Sequence, residues 1–214
     1  MNQHKRSPHS IFDFTYSLGK FLLFLIKLQV FWFLSVLRGC ILLGTFPASV
    51  TVLKFFYHLF EEKQIPQVLY SDFQTSFNNL FISTNQLGYA AGMLLGFLWM
   101  DLRIAAVYLQ NPFIHMGILL LFIATVIVIL YLFPVFLRYD LSFTQYFKQA
   151  LFLSLCSLIE TVAIILGIFV VTAVSTFFPI LTIVAFVPLF CLPLSWFSLQ
   201  SMIKIEEKKS TLTQ

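Results

Sequence analysis

The sequence predicts an all-α integral membrane protein, a bundle of about five transmembrane helices with amphipathic helices at the interface. Of its 214 residues, 59% are hydrophobic and only 10% are charged, and the mean hydropathy is +0.91. Soluble domains contain roughly 45–50% apolar and about 25% charged residues, so a soluble fold of this size could not shield so much apolar surface from water. We therefore expect one transmembrane domain over residues 1–214, with lipid as its solvent.

Five apolar runs are long enough, or nearly so, to cross about 30 Å of hydrocarbon at about 1.5 Å per helical residue. Pro112 suits the first turn of the third span, and Pro188 and Pro193 predict a kink in the fifth. The fourth run is short if it begins after Glu160. The predicted spans are approximately residues 21–43, 86–107, 113–137, 158–176 and 179–202.

Three further segments, residues 47–60, 67–84 and 141–158, place apolar side chains on one helical face. Such stripes are typical of helices that lie in the membrane interface, and they fit equally well helix extensions that pack on the bundle. Both interpretations stay open at this point. On the first of them, the phenylalanines of the last two segments are candidate anchors for a partner: Phe73, Phe77, Phe143 and Phe147.

The basic residues predict an orientation. With five spans, four Lys and Arg fall on one side and eight on the other, and the eight include Arg38, Lys54 and Lys63. The positive-inside rule then places the N-terminus outside and the C-terminus in the cytoplasm. Because the 13 Lys and Arg are scattered and form no basic face, we expect no nucleic-acid partner.

Gly88, Gly92 and Gly96 form a glycine ladder on one face of the second predicted span. Glycine lets another helix approach closely, which is how helices gain packing energy in lipid. The ladder therefore predicts helix packing, with a bare groove for a ligand or lipid as the alternative.

The few charged residues near the spans are the candidate functional residues, because charges are costly in a membrane. Asp101 could bind a substrate or partner, or be an interfacial carboxylate paired with a cation or with water. Glu160 would be functional at mid-bilayer but only interfacial if the preceding amphipathic helix continues to residue 158. Arg103, Arg38 and Pro47 complete the set.

No pattern predicts catalysis. The four histidines are too dispersed to ligate a metal, and each of the three cysteines stands alone in an apolar stretch. The chain has no phosphate-binding glycine loop and no serine-hydrolase or zinc-protease motif. We expect no catalytic residue, no metal site and no cofactor, and thus no enzyme.

Several short motifs follow one another in a distinctive order. They are Phe31-Trp32-Phe33-Leu34, Gly44-Thr45-Phe46-Pro47-Ala48-Ser49, residues 72–81, and Arg138-Tyr139-Asp140-Leu141-Ser142-Phe143 with Phe147-Lys148-Gln149-Ala150-Leu151. In order and spacing they resemble the YesL-like bacterial membrane proteins, the domain of unknown function 624, over about residues 20–204. The resemblance implies a five-helix protein often encoded beside carbohydrate-uptake ABC transporter genes, and it implies no mechanism and no catalytic residues.

Two functions are therefore expected as alternatives. The first is an accessory component of a carbohydrate ABC-type uptake system in the bacterial plasma membrane, with the lipid bilayer and ABC-transporter subunits or another membrane protein as partners. The second is a small transporter in its own right, which would need polar groups around a pathway at mid-membrane.

Overall fold

The computed structural model describes residues 9–109 and 111–212, and within these ranges it contains seven α-helices and no β-strand. The helices are α1 (His9–Arg38), α2 (Leu42–Glu62), α3 (Tyr70–Ile104), α4 (Pro112–Arg138), α5 (Phe143–Cys156), α6 (Leu158–Phe177) and α7 (Pro179–Leu212). A π-helical turn, Ala105–Leu109, follows α3 directly.

Five helical segments are long and apolar enough to cross a membrane: Thr15–Arg38, Tyr70–Tyr108, Pro112–Arg138, Leu158–Phe177 and Pro179–Thr211. At most 28% of the most apolar stretch of each is buried inside the protein. Side chains such as Phe113 and Ile159 are more than four-fifths exposed. Such a surface needs lipid around it, so the predicted all-α membrane fold with about five spanning helices is confirmed.

The first helix ends at Arg38, five residues before the predicted end of the first span. The N–H of Cys40 bonds to the carbonyl of Leu37, and the N–H of Ile41 bonds to the carbonyl of Val36. These two bonds form a Schellman motif, with Cys40 in the left-handed conformation at φ 55°. Apolar composition continues through residues 39–43, so composition alone could not show where the helix ends.

α1 and α2 form an antiparallel hairpin. The rings of Phe24 and Phe56 meet edge to face at 5.6 Å, and Trp32 donates from Nε1 to Ser49 Oγ at 3.0 Å. Near the turn the helices touch through backbone, because a Cβ on Gly44 would lie 2.7 Å from the Val36 carbonyl oxygen. The segment 47–60, predicted as amphipathic, is therefore the buried middle of a hairpin, enclosed by α1, α3 and α7.

The hairpin separates charges that the sequence placed on one side. Arg38 precedes α2 and Lys63 follows it, and a 21-residue helix is about 31 Å long. At the far end, Lys20 and Lys27 of α1 line one cavity with residues 65–68. This arrangement brings the first half of α1 back to the end of α2, so Arg38 and Lys63, which the predicted orientation counted together, lie at opposite ends of α2.

The predicted segment 67–84 and the second span are one continuous helix, α3. Phe73 is fully buried and its ring packs 5.9 Å from that of Phe55 and 6.0 Å from that of Phe31. Phe77 is 3% exposed. Both side chains belong to the core, so this segment packs on the bundle and neither residue can anchor a partner.

The second half of the chain places the short helix α5 between two spanning helices, α4 and α6. α5 begins with a capping box formed by Ser142 and Gln145, and it is separated from α6 by the single non-helical residue Ser157. α7 is kinked at Ala185, where φ is −152° and ψ is 26°, just before Pro188. The N–H of Val187, next to this kink, donates to Gln29 Oε1 of α1 at 3.1 Å.

Candidate functional site

The C-terminal ends of α2, α4 and α7 meet in a charged cluster, which we call the Arg138 cluster (Glu61, Arg138, Tyr139 and Glu206). Arg138 Nη1 lies 2.6 Å from Glu61 Oε1. Its Nη2 and Nε donate to the two carboxylate oxygens of Glu206 at 2.8 and 3.2 Å. Tyr139 donates its hydroxyl to Glu206 Oε1 at 2.9 Å. One guanidinium thus ties together three helices that are distant in sequence.

The electrostatics of this cluster suit a helix end. Arg138 is the last residue of α4, where a positive charge interacts favourably with the helix dipole. The Arg138 side chain is 27% exposed and those of Glu61 and Glu206 are 43% and 38% exposed, so each ion pair is partly screened. Burial, and then the hydrogen bond to Glu206, raise the pKa of Tyr139 to about 12, so this phenol stays a donor.

A second ion pair joins α6 to α7. Glu160 lies in the first turn of α6, where the helix dipole favours a carboxylate, and it is only 9% exposed. Lys204 Nζ of α7 lies 2.5 Å from its Oε1. The carboxylate that the sequence singled out is thus a paired residue at the start of a span.

Hydroxyl groups continue from this pair into the bundle. Ser195, Ser198 and Ser201, which we call the serine row, are fully buried on one face of α7. Ser201 donates to Ser157 Oγ at 2.5 Å, and Ser198 Oγ lies 2.9 Å from Tyr57 OH. Ser195 donates to a carbonyl of its own helix at 2.7 Å. Each of these three hydroxyls has a hydrogen-bond partner, as buried polar groups require.

Two cavities flank the Glu160–Lys204 pair. The larger, about 700 Å³, lies between α5 and the end of α7 and reaches Gln149, Ser157 and Lys208. The smaller, about 310 Å³, lies on the other side, beside Trp196 and Gln200. The lining of neither cavity includes a member of the serine row. Both cavities are surface clefts at one end of the bundle.

The three glycines of the ladder have different surroundings in the structure. A Cβ on Gly88 would lie 2.5 Å from Cγ of Phe46, so this glycine accommodates the ring of an α2 residue. Gly92 and Gly96 have no neighbouring atom within 4 Å of such a Cβ, and both are exposed. Close packing inside the chain therefore uses Gly88, and the other two glycines face the surroundings.

The remaining candidates are not brought together. Asp101 is half-buried near the end of α3, and Arg103 is exposed with its guanidinium carbon 5.1 Å from the centre of the Trp99 ring. Arg38 is exposed at the end of α1, and Pro47 is buried inside α2. None of these four contributes to the Arg138 cluster or to the Glu160–Lys204 pair.

Sequence reasoning missed most of the charged site. Arg138 and Tyr139 stood out only as part of a motif in the family resemblance, and Glu61 and Glu206 were not singled out. The acidic partners lie 77 and 68 residues away from Arg138. The available signal was an arginine at a helix end with two acidic residues at other helix ends. Within the described residues, no group of three or more His, Cys, Asp or Glu side chains could hold a metal ion.

Comparison with known proteins gives one match. The family described as "Protein of unknown function, DUF624" matches residues 25–102, which cover the C-terminal part of α1, all of α2 and most of α3. No curated protein and no solved structure matches the chain. The turn between α1 and α2, Pro47 and the glycine ladder all lie in the matched part, whereas Arg138, Glu160 and the serine row lie outside it. Over residues 25–102 the chain is thus similar to the DUF624 family, which supports the resemblance and assigns no activity.

Proposed function

We propose that this protein is a non-enzymatic membrane protein that acts by binding another membrane protein, as an accessory component of a carbohydrate ABC-type uptake system in the bacterial plasma membrane. The link to carbohydrate uptake rests on the resemblance to the YesL-like proteins. The observation that carries the proposal of association is that the serine row and Glu160 already have partners inside the protein: the hydroxyls bond to Tyr57, Ser157 and the α7 backbone, and Glu160 pairs with Lys204. The groups that remain available to a partner are therefore on the surface.

A transporter would need polar groups that line a pathway and exchange partners as a solute passes. The serine row is fully buried, and its hydroxyls bond to Tyr57, to Ser157 and to the backbone of α7. Hydroxyl pairs of this kind are a usual way of joining helices in lipid. These hydrogen bonds favour a role of the serine row in helix packing over a role in a transport pathway.

The face available to a partner is the outer side of α5. The helix packs on α4 through Tyr146, whose ring lies 5.3 Å from that of Phe136. Its other face exposes Gln145 and Lys148 near the start and Leu151 further along. A polar rim beside apolar anchors is typical of a binding surface. Of the four phenylalanines considered as anchors, Phe73 and Phe77 are buried in the core, whereas Phe143 at the start of α5 is 45% exposed.

The test is recovery of a co-expressed carbohydrate ABC permease in mild detergent. Gln145→Glu combined with Lys148→Glu should abolish recovery while leaving the melting temperature unchanged. The matched control is Asn78→Glu combined with Asn79→Glu, which changes exposed polar residues on α3 and should leave recovery intact. Undiminished recovery with the α5 variant would refute this interface. If the purified protein alone moves a solute across liposomes, the transporter alternative replaces the proposal.

A further inference from the structure

We propose that the cleft between α5 and the end of α7 binds the headgroup of an anionic phospholipid. This cleft is the cavity of about 700 Å³ described above. Its floor is the break between α5 and α6, at Cys156 and Ser157, and one wall is the last part of α7 from Lys204 to Lys209. We call it the α5–α7 cleft.

Its charges favour an anion. Lys204, Lys208 and Lys209 all line the cleft. Lys204 and Lys208 are four residues apart and so share one face of α7. The two carboxylates beside them, Glu160 and Glu206, are already engaged. Glu160 pairs with Lys204, and both oxygens of Glu206 accept hydrogen bonds from Arg138. The lining of the cleft thus carries three lysines against two carboxylates.

The apolar surroundings distinguish a lipid from a soluble anion. Phe152 lines the cleft and is 50% exposed. Leu155 and Ile159, which follow it along α5 and α6, are 64% and 82% exposed. These side chains lead from the lysines along the surface of a spanning helix, so acyl chains can lie on them while the phosphate meets the lysines. Lysines at the end of a spanning helix lie at the depth of lipid headgroups.

The experiment places a fluorescent reporter in the cleft. Phe152→Trp is introduced, and the purified protein is reconstituted in phosphatidylcholine vesicles that carry a small fraction of brominated phosphatidylglycerol or, separately, brominated phosphatidylcholine. Bromine quenches indole fluorescence at short range, and the same protein without Phe152→Trp gives the signal of its three native tryptophans. We expect quenching at the new indole to be several-fold stronger with brominated phosphatidylglycerol.

Adding Lys208→Gln and Lys209→Gln should remove this preference. The matched control, Lys20→Gln with Lys63→Gln, removes two exposed lysines elsewhere on the protein and should keep it. Equal quenching by both lipids, or a preference that survives loss of Lys208 and Lys209, overturns the proposal. Competition by millimolar inorganic phosphate that abolishes the preference also overturns it, because the cleft would then bind a soluble anion.

Discussion

Asn85 of α3 supplies the hydrogen bond that Pro47 removes from α2. Pro47 has no N–H, so the carbonyl of Leu43, four residues earlier, loses its helical donor. Asn85 Nδ2 donates to that carbonyl oxygen at 2.9 Å. In lipid an unpaired carbonyl costs more than in water, because no solvent can replace the bond. The side-chain amide of Asn85 thus replaces the backbone donor that Pro47 lacks. The same hydrogen bond joins α3 to α2.

We predict that Asn85→Leu lowers the free energy of unfolding in detergent by about 1–3 kcal/mol, the cost of leaving a buried polar group unpaired. The same substitution in a Pro47→Ala background should cost clearly less, because the restored N–H at position 47 can bond to Leu43. Equal losses in the two backgrounds, measured by thermal unfolding, would show that the amide of Asn85 does not replace the proline's missing donor.

A side chain at Gly88 should destabilise the protein, whereas one at Gly92 or Gly96 should be tolerated. We predict that Gly88→Ala destabilises the protein by about 1–3 kcal/mol, because the new Cβ would lie within 3 Å of the Phe46 ring. Combining it with Phe46→Leu should recover part of the loss by making room. Both effects can be measured as shifts of the thermal unfolding midpoint.

Gly92→Ala is the matched control, since no atom lies within 4 Å of its Cβ position. Alanine favours a helix over glycine by about 1 kcal/mol, so the monomer should be unchanged or slightly more stable. A large loss of stability here, with none at Gly88, would contradict the packing described for α2 and α3.

The spanning helices can be predicted from the sequence because a helix that crosses lipid must be apolar and long enough to span it. The second to fifth predicted spans each lie within one helix or its direct π-helical continuation, and the third and fourth match α4 and α6 to within one residue at each end. The first does not, because its end is set by backbone hydrogen bonds at Cys40 and Ile41 and by the close approach at Gly44. The apolar composition of this segment does not indicate such contacts. The role of α2 was missed for a related reason: Lys54 and His58 make it look interfacial, yet its packing between α1, α3 and α7 buries ten of its residues.

The candidate site was less accessible to prediction. Glu160 stood out because a carboxylate in an apolar run is rare, and it does sit in an ion pair. Its partner Lys204 is 44 residues away, and the partners of Arg138 are farther still. Such pairings depend on how helices are arranged, which periodicity within one helix does not encode.

Arg138 should contribute more to stability than the other arginines. We predict that Arg138→Ala lowers the free energy of unfolding by on the order of 1 kcal/mol, a modest value because the pairs are partly exposed. Arg103→Ala is the control and should cost less, since its guanidinium only stacks on Trp99. An equal loss for the two variants would mean that the Arg138 cluster does not hold α2, α4 and α7 together.

Tyr139 should make the protein sensitive to alkali. Its pKa is about 12 in the folded protein, above the ordinary value of about 10 for tyrosine. The stability it contributes is therefore complete below about pH 10 and is lost as the pH rises towards 12. We predict that Tyr139→Phe, once its lower starting stability is subtracted, loses less stability than the wild type between pH 10 and 12. Unfolding curves that fall in parallel would contradict a raised pKa at this residue.

The last prediction concerns the membrane sides. Contacts place the first half of α1 beside residues 65–68, and they join Glu61 at the end of α2 to the ends of α4 and α7. If α2 returns through the bilayer alongside α1, this end of the bundle carries Lys20, Lys63, Arg138, Lys148, Lys204, Lys208 and Lys209, and the other end carries Arg38 and Arg103. Lys5 and Arg6 precede α1 in the sequence and add to the first of these ends, which makes nine basic residues against two. The same eleven residues divide seven against four on the path that predicted an external N-terminus.

The positive-inside rule then places both termini in the cytoplasm. Reporters fused before Met1 and after Gln214 should both show cytoplasmic activity. In a variant whose three native cysteines are replaced by serine, Asn111→Cys, between α3 and α4, should react with an impermeant thiol reagent added outside intact cells. The control is a cysteine introduced at Gln64, after α2, which should stay unlabelled until the membrane is opened. A cytoplasmic C-terminus with an external N-terminus would instead restore the five-crossing path, and it would require the α1–α2 hairpin to lie within one face of the membrane.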